Sequence, residues 1–148
     1  MIDSCLKSFS FEQTTWLESG DEILSVRNKV FVIEQHYEKA EPFNQQDFDA
    51  FHLIVRNSDF EVVACGRITP TGRIGKIAVT LPYRGLGIGS KLLKMLIQHG
   101  QENNINDLYL NAEIENQNFY QLQEFFSAGP VFMKHGIPHR RLARKLAQ

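Results

Sequence analysis

Three glycines within six residues, Arg84-Gly85-Leu86-Gly87-Ile88-Gly89, separate a β-rich run from a helical stripe, and they are the segment best suited to binding chemistry. Glycine lets main-chain NH groups approach a ligand with no side chain in the way. The unpaired amides of a helix start, aligned with the helix dipole, favour an anion. The expected ligand therefore carries phosphate. Two phosphate patterns fail. The dinucleotide form G-x-G-x-x-G needs glycine where Ser90 follows Gly85 and Gly87, and the triphosphate form G-x-x-x-x-G-K-[ST] needs glycine at that same serine before Lys91. The spacing that fits is R-x-x-G-x-G, made by Arg84, Gly87 and Gly89.

Other residues have types that can move protons. Tyr120 lies beside Phe119, and Glu34, Asp47, His52 and Glu113 are each able to take a proton directly or through water. His135 and His139 look like a metal pair, but Gly136 and Pro138 deny them the helical geometry that would put both rings on one face, so no metal is expected. Arg140, Arg141, Arg144 and Lys145 form a basic run whose usual setting is a solvated face.

The elements that must position these residues follow from periodicity. Phe9 and Phe11 alternate with serines as a first strand. Ser19 and Glu22 form a capping-box pattern, and Ile23, Val26, Val30 and Ile33 recur at helical spacing, which predicts a helix from Gly20 to Gln35. The polar stretch from His36 to Asp49 reads as a loop or irregular helix. Phe51 to Arg56 and Glu61 to Thr69 read as a hairpin about Asn57-Ser58-Asp59, and Arg73 to Leu81 as a further strand. Leu92, Leu93, Leu96 and Ile97 mark a helix over about 86–98, with Gly100 as its stop. Asn106 to Ala112 reads as strand, Asn116 to Phe126 as helix, and two short extended runs flank a turn at Gly136-Ile137-Pro138. Hairpins followed by strand–helix–strand–helix predict an α+β, sandwich-like single domain over residues 1–148. Its central sheet is mixed, mostly antiparallel and flanked by helices.

Composition narrows the function classes. With 16 Lys plus Arg against 17 Asp plus Glu, the formal charge of −1 provides no global field for nucleic acid, so the anion site must be local. Cys5 and Cys65 form no Cys-x-x-Cys pair, which suits a reduced, cytoplasmic setting. No apolar run approaches the ~20 residues of a membrane span, and no leader-like segment opens the chain.

Taken with Val30-Phe31-Val32-Ile33-Glu34-Gln35, Asp47, His52, Gly66-Arg67-Ile68, Phe119-Tyr120 and Gly136-Ile137-Pro138-His139, the R-x-x-G-x-G motif resembles the ElaA-like branch of the GNAT acetyltransferase superfamily. The match runs in order along nearly the whole chain. It departs at Glu115-Asn116-Gln117, where a more alanine-rich stretch is usual, and at Gln123-Glu124-Phe125, where a Gly-Phe pair is usual. The resemblance implies a GNAT-type domain using acetyl-CoA as co-substrate to acetylate a primary amine. The alternative is a non-catalytic acyl-CoA sensor or interaction module. By resemblance, Ile77, Ala78 and Val79 offer backbone groups to the pantetheine and thioester, and Arg84, Gly85, Leu86, Gly87, Ile88, Gly89 and Ser90 hold the pyrophosphate. Asn116 bonds the pantetheine or caps a helix. Tyr120 gives a proton to the departing thiolate, and Glu34 and His52 lead among the candidate bases. Related proteins often pair, so a homodimer is open. Acidic residues between Glu34 and Asp49 hint at a cationic amine as acceptor.

Overall fold

The computed structural model describes residues 6–34 and 41–146. Four strands form one antiparallel sheet in sequence order: β1 (Ser10–Thr14), β2 (Phe51–Arg56), β3 (Val62–Ile68) and β4 (Ile74–Val79). Three more, β5 (Asp107–Glu113), β6 (Phe126–Lys134) and β7 (Ile137–Lys145), form a second antiparallel sheet in the order β5-β7-β6. The two sheets meet at a parallel bridge between Arg73 and Tyr109, where the Gly72 carbonyl accepts the Tyr109 NH at 3.0 Å. Gly72 has φ +99°, and a Cβ there would lie 2.2 Å from the Asp107 carbonyl oxygen, so only glycine permits this junction. Beyond it β4 and β5 diverge.

Helices cover both faces. Ile23, Val26 and Val30 pack on Ile54, Cys65 and Ala78 from one side. From the other, Leu92, Leu93, Leu96 and Ile97 join Leu53, Val55 and Ile68 of the first sheet to Leu108, Leu110 and Leu142 of the second. Each such side chain contributes on the order of 1.5–3 kcal/mol as an upper bound. Because both faces of β2 are covered, Leu53, Ile54 and Val55 are all buried and the strand reads as a continuous apolar run.

Several element boundaries differ from the sequence reading. Helix α1 (Trp16–Arg27) starts earlier than expected, because Thr15 is its cap and accepts the Glu18 NH at 3.2 Å. Ser19 lies inside the helix, with its hydroxyl 2.6 Å from that of Thr14. The chain then widens into a π-helical segment, Asn28–Glu34, rich in β-branched side chains that crowd an α-helix. The expected end at Gln35 lies outside the described residues. Helix α2 (Ile88–Glu102) runs through Gly100, which is not a stop: a Cβ there would lie 3.1 Å from Leu108, so the glycine lets α2 sit close on β5. Asn103 ends the helix instead.

Helix α3 (Gln117–Gln121) is much shorter than the predicted 116–126. The Phe125 NH bonds the Tyr120 carbonyl and the Glu124 NH bonds that of Gln121, a Schellman closure with Glu124 at φ 64°. Glu124 thus takes the left-handed place where the family pattern has glycine. The last hairpin turns at His135-Gly136, with φ 54° and 76°, rather than at 136–138, and its nine-residue strands are longer than expected. Leu142 and Leu146, though helically spaced, are buried from an extended chain. Among the described residues no helix is long and apolar enough to cross a membrane.

Candidate acyl-donor and acceptor cleft

The diverging edges of β4 and β5 enclose a cleft of about 980 Å³. One end of it is the turn and helix start after β4. Leu81–Tyr83 form one 3₁₀ turn, held where the Tyr83 hydroxyl accepts the Asn57 side-chain amide at 3.0 Å. Gly85 and Gly87 follow with φ +77° and +94°, left-handed conformations that a side chain resists. The first helical bond runs from the Lys91 NH to the Gly87 carbonyl at 3.1 Å. The amides of Ile88, Gly89 and Ser90 therefore precede the ladder and have no acceptor within the helix.

Gly85, Gly87, Ile88, Gly89 and Ser90 line the cleft, whereas Leu86 packs its half-buried side chain against the core. A Cβ on Gly89 would make ordinary contact with Phe119 at 3.5 Å, so the demand for glycine rests on the other two. Arg84 lines the same end and its Nε donates to the Val79 carbonyl at 2.8 Å. Lys91 instead places its ammonium over the Phe11 ring, 4.4 Å from the centroid.

Ile77, Ala78 and Val79 form the adjoining wall. Ala78 and Val79 pair with Cys65 and Ala64 on one edge of β4, which leaves the edge facing β5 without a strand partner past Arg73 among the described residues. On the opposite wall stand Glu113, Asn116, Phe119 and Tyr120. Asn116 occupies the cap position of α3, but its side chain makes no capping bond. The Tyr120 ring meets Phe119 and Phe125 edge-on, at 5.0 and 6.4 Å between centroids. Burial, reinforced by the negative charge of Glu113, pushes the phenol pKa up to about 12, so it is protonated throughout the neutral range.

Two of the candidate bases stand behind the cleft. Asp47 is fully buried and accepts two bonds from Arg27, at 2.9 and 3.0 Å, one from Arg67 at 2.7 Å, and the Asn44 NH at 3.1 Å. Burial pushes its carboxyl up, but the Arg27 bonds and charge, the Asn44 amide and the Arg67 charge outweigh this and hold it below the usual range. His52, expected beside the acceptor, does not reach the cleft. Its ring is buried under Trp16, and its Nε2 donates to the Asp47 carbonyl at 2.8 Å. Burial keeps its pKa below the ordinary value, so the imidazole is neutral. The backbone of Glu34 ends the π-helical segment, and its side chain lies outside the described residues. Glu113 lines the cleft.

Sequence reasoning missed the charged lining opposite Glu113. Lys76, Arg67 and Lys134 all border the cleft. Lys76 is held at φ 52° beside a register shift in the β3–β4 pairing. Its ammonium donates to the Glu41 carbonyl at 2.8 Å and sits 5.9 Å from the centre of the Phe31 ring. The one available signal was Gly66, an isolated glycine in a strand run, the usual mark of a bulge. A Cβ there would press on Ile77 at 3.2 Å. Of the histidine pair, His139 donates to the Ile137 carbonyl through Nδ1, and among the described residues no group of three or more His, Cys, Asp or Glu is gathered as metal ligands would be. The basic run lies along β7, where Arg141 covers the Tyr109 ring and Arg144 donates to the Gln123 carbonyl.

Known proteins share this fold. The family model described as acetyltransferase (GNAT) domain matches residues 10–146. Protein ElaA of Escherichia coli (strain K12) is 31% identical over 141 residues, covering 85% of this chain and 87% of that protein. The crystal structure of Escherichia coli ElaA superposes with a TM-score of 0.82 at 25% identity, over 93% of this chain and 99% of that one. An acyl-CoA N-acyltransferase from Pseudomonas aeruginosa gives 0.83 at 24% identity, with the same coverage of 93% and 99%. A GNAT family acetyltransferase from Elizabethkingia anophelis, solved with acetyl-CoA bound, gives 0.66 at 16% identity over 95% of this chain and 99% of that one. With a family model spanning nearly its whole length, an ElaA relative of this identity and two antiparallel sheets parted over a glycine-rich helix start, the chain belongs to the acetyltransferase (GNAT) family, in its ElaA-like branch.

Proposed function

We propose that the chain is an N-acetyltransferase that moves the acetyl group of acetyl-CoA to a primary amine by direct attack on the thioester. The observation that carries this reading is the donor end of the cleft, where left-handed Gly85 and Gly87 bare the first amides of α2. Those amides and Arg84 hold the pyrophosphate, and Ser90 closes the same turn. Leu86 contributes through its backbone, since its half-buried side chain packs against the core. The edge of β4 at Ile77, Ala78 and Val79, which has no strand partner on this side, bonds the pantetheine and orients the thioester carbonyl, and Asn116 bonds the pantetheine from the facing wall.

The amine nitrogen attacks the carbonyl carbon. A C–N bond forms as the C–S bond breaks, and the electron pair leaves on sulfur. Tyr120 supplies the proton that converts the thiolate to free thiol, a role its elevated pKa suits because the phenol holds its proton until charge develops nearby. Glu113 takes the amine proton, directly or through water, being the described carboxylate that lines the wall beside Tyr120. Glu34 is the other carboxylate of the family-like segments on the acceptor side. The buried thiol of Cys65 supports a reducing, cytoplasmic setting.

The test pairs calorimetry with thiol release. Acetyl-CoA is expected to bind, and free coenzyme A to appear when amino acids, aminosugars, polyamines or lysine peptides are supplied. Absence of any heat of binding at millimolar acetyl-CoA overturns the reading. Binding with no thiol release from any amine makes the chain a sensor instead.

A further inference from the structure

The charges of the cleft are divided between its walls. Glu113 stands with Tyr120 on the β5 side, near enough for its charge to help hold the phenol protonated. The opposite wall and the β6–β7 turn bring Arg67, Arg73, Lys76 and Lys134 to one surface. Burial, then the charges of Arg27, Arg67 and Lys134, lower the pKa of Lys76 to about 8. Burial likewise lowers the pKa of Arg67 against the pull of Asp47, and Arg27 and Arg73 add to the lowering.

Glu41 also lines the cleft, with its main-chain carbonyl on Lys76, so this wall carries one carboxylate against four cations, and the other carboxylate of the cluster is already engaged. Asp47 is buried between Arg27 and Arg67, so it presents no charge to the cleft, and the pair of arginines exceeds it by one positive charge. Arg67 itself is 2% exposed, and its Nε has no hydrogen-bond partner among the described residues. Its two NH2 groups are held by Asp47, Asn44 and Gln46, so Arg67 acts on the cleft through its charge. Lys76 is held at this wall in a left-handed conformation that a lysine does not adopt freely.

We infer that the acceptor is an amine bearing its own carboxylate, an amino acid or a close analogue, with the carboxylate set against Lys76 and Lys134 in the field of Arg67 and the amino group turned toward Glu113. This rests on the acetyltransferase reading and names its substrate class. It reverses the hint of a cationic acceptor that Asp47 and its acidic neighbours give in the sequence. A polyamine brought to this wall would meet like charge. A carboxylate restores the balance, and the same cations favour the uncharged form of a nearby amine, which is the form able to attack.

The experiment compares amino acids with their carboxamides, and with a polyamine, in the thiol-release assay. In parallel, calorimetry measures N-acetyl-amino acids and N-acetyl-amino acid amides binding to the coenzyme A-loaded protein. The carboxylates are expected to exceed the amides by about tenfold or more in kcat/KM and in affinity, the scale of one charge-assisted hydrogen bond. Lys134→Gln, at an exposed position, and Lys76→Gln should each erase most of that ratio. Equal values for acid and amide, or a polyamine as the better substrate, overturn the inference while leaving the acetyltransferase reading intact. If no amine turns over, the binding ratio still decides for or against a carboxylate site.

Discussion

The two ends of the cleft are built by opposite means. At the proposed donor end the binding atoms are main-chain amides, bared by Gly85 and Gly87 and aimed by the first turn of α2. At the proposed acceptor end they are side chains gathered from five separate segments, with Asp47 tying Arg27 to Arg67, and Lys76 and Lys134 arriving from a bulged strand and a hairpin. A backbone site depends on conformation and is indifferent to most side chains. A site of buried charges depends on each partner, because removing one strands the others.

The sharpest consequence falls on Asp47. Asp47→Ala leaves two buried guanidiniums without their carboxylate and should cost about 3–5 kcal/mol, read by denaturant unfolding. The pH dependence has a definite sign. A carboxyl whose folded pKa is depressed contributes fully above its unfolded value, near 3.9, and the contribution fades as pH falls from there through the folded value. The wild type should therefore lose stability on acidification below about pH 4 more steeply than Asp47→Asn.

Next comes the chemistry. Tyr120→Phe should lower kcat by about 10²–10⁴-fold while leaving acetyl-CoA binding within a factor of about two, in steady-state kinetics and calorimetry. Because the wild-type phenol titrates only near 12, the alkaline limb of the pH–rate profile should come from the amine or another group, not from Tyr120.

A smaller effect is expected from Gly87→Ala. The added methyl meets a φ of +94°, a strain of about 1–2 kcal/mol, and relief by rotating the backbone turns the amides from the ligand. Affinity for coenzyme A should fall about tenfold, with little change in the carboxylate preference of the acceptor.

The mildest change improves the protein. Glu124→Gly replaces a residue at φ 64° and gives up an exposed contact to Arg144 at 3.4 Å, so stability should rise by about 0.5–1 kcal/mol in thermal unfolding.

The same contrast explains what could be read from the chain alone. Strands β2 to β4, the glycine loop and the stripe of α2 were legible because local pattern and turn chemistry state them directly. The boundaries that slipped were decided by packing. Gly100 looks like a helix stop until Leu108 is set against it, and the 116–126 helix ends early because Glu124 accepts a conformation its type disfavours. His52 and Asp47 looked like free proton acceptors, and only the fold shows Asp47 locked between two arginines and His52 bonded behind it. The cationic wall was illegible because its members are scattered over nearly seventy positions, and no spacing rule joins Arg67 to Lys134.

The junction at Gly72 sets how the whole groove can respond. With the Asp107 carbonyl pressed where a side chain would be and the Tyr109 amide bonded across, the two halves are pinned at that end as by a rivet. A wedge fixed at its apex keeps its narrow gap and transmits any rotation between the halves to its mouth, where the glycine loop and Tyr120 face one another.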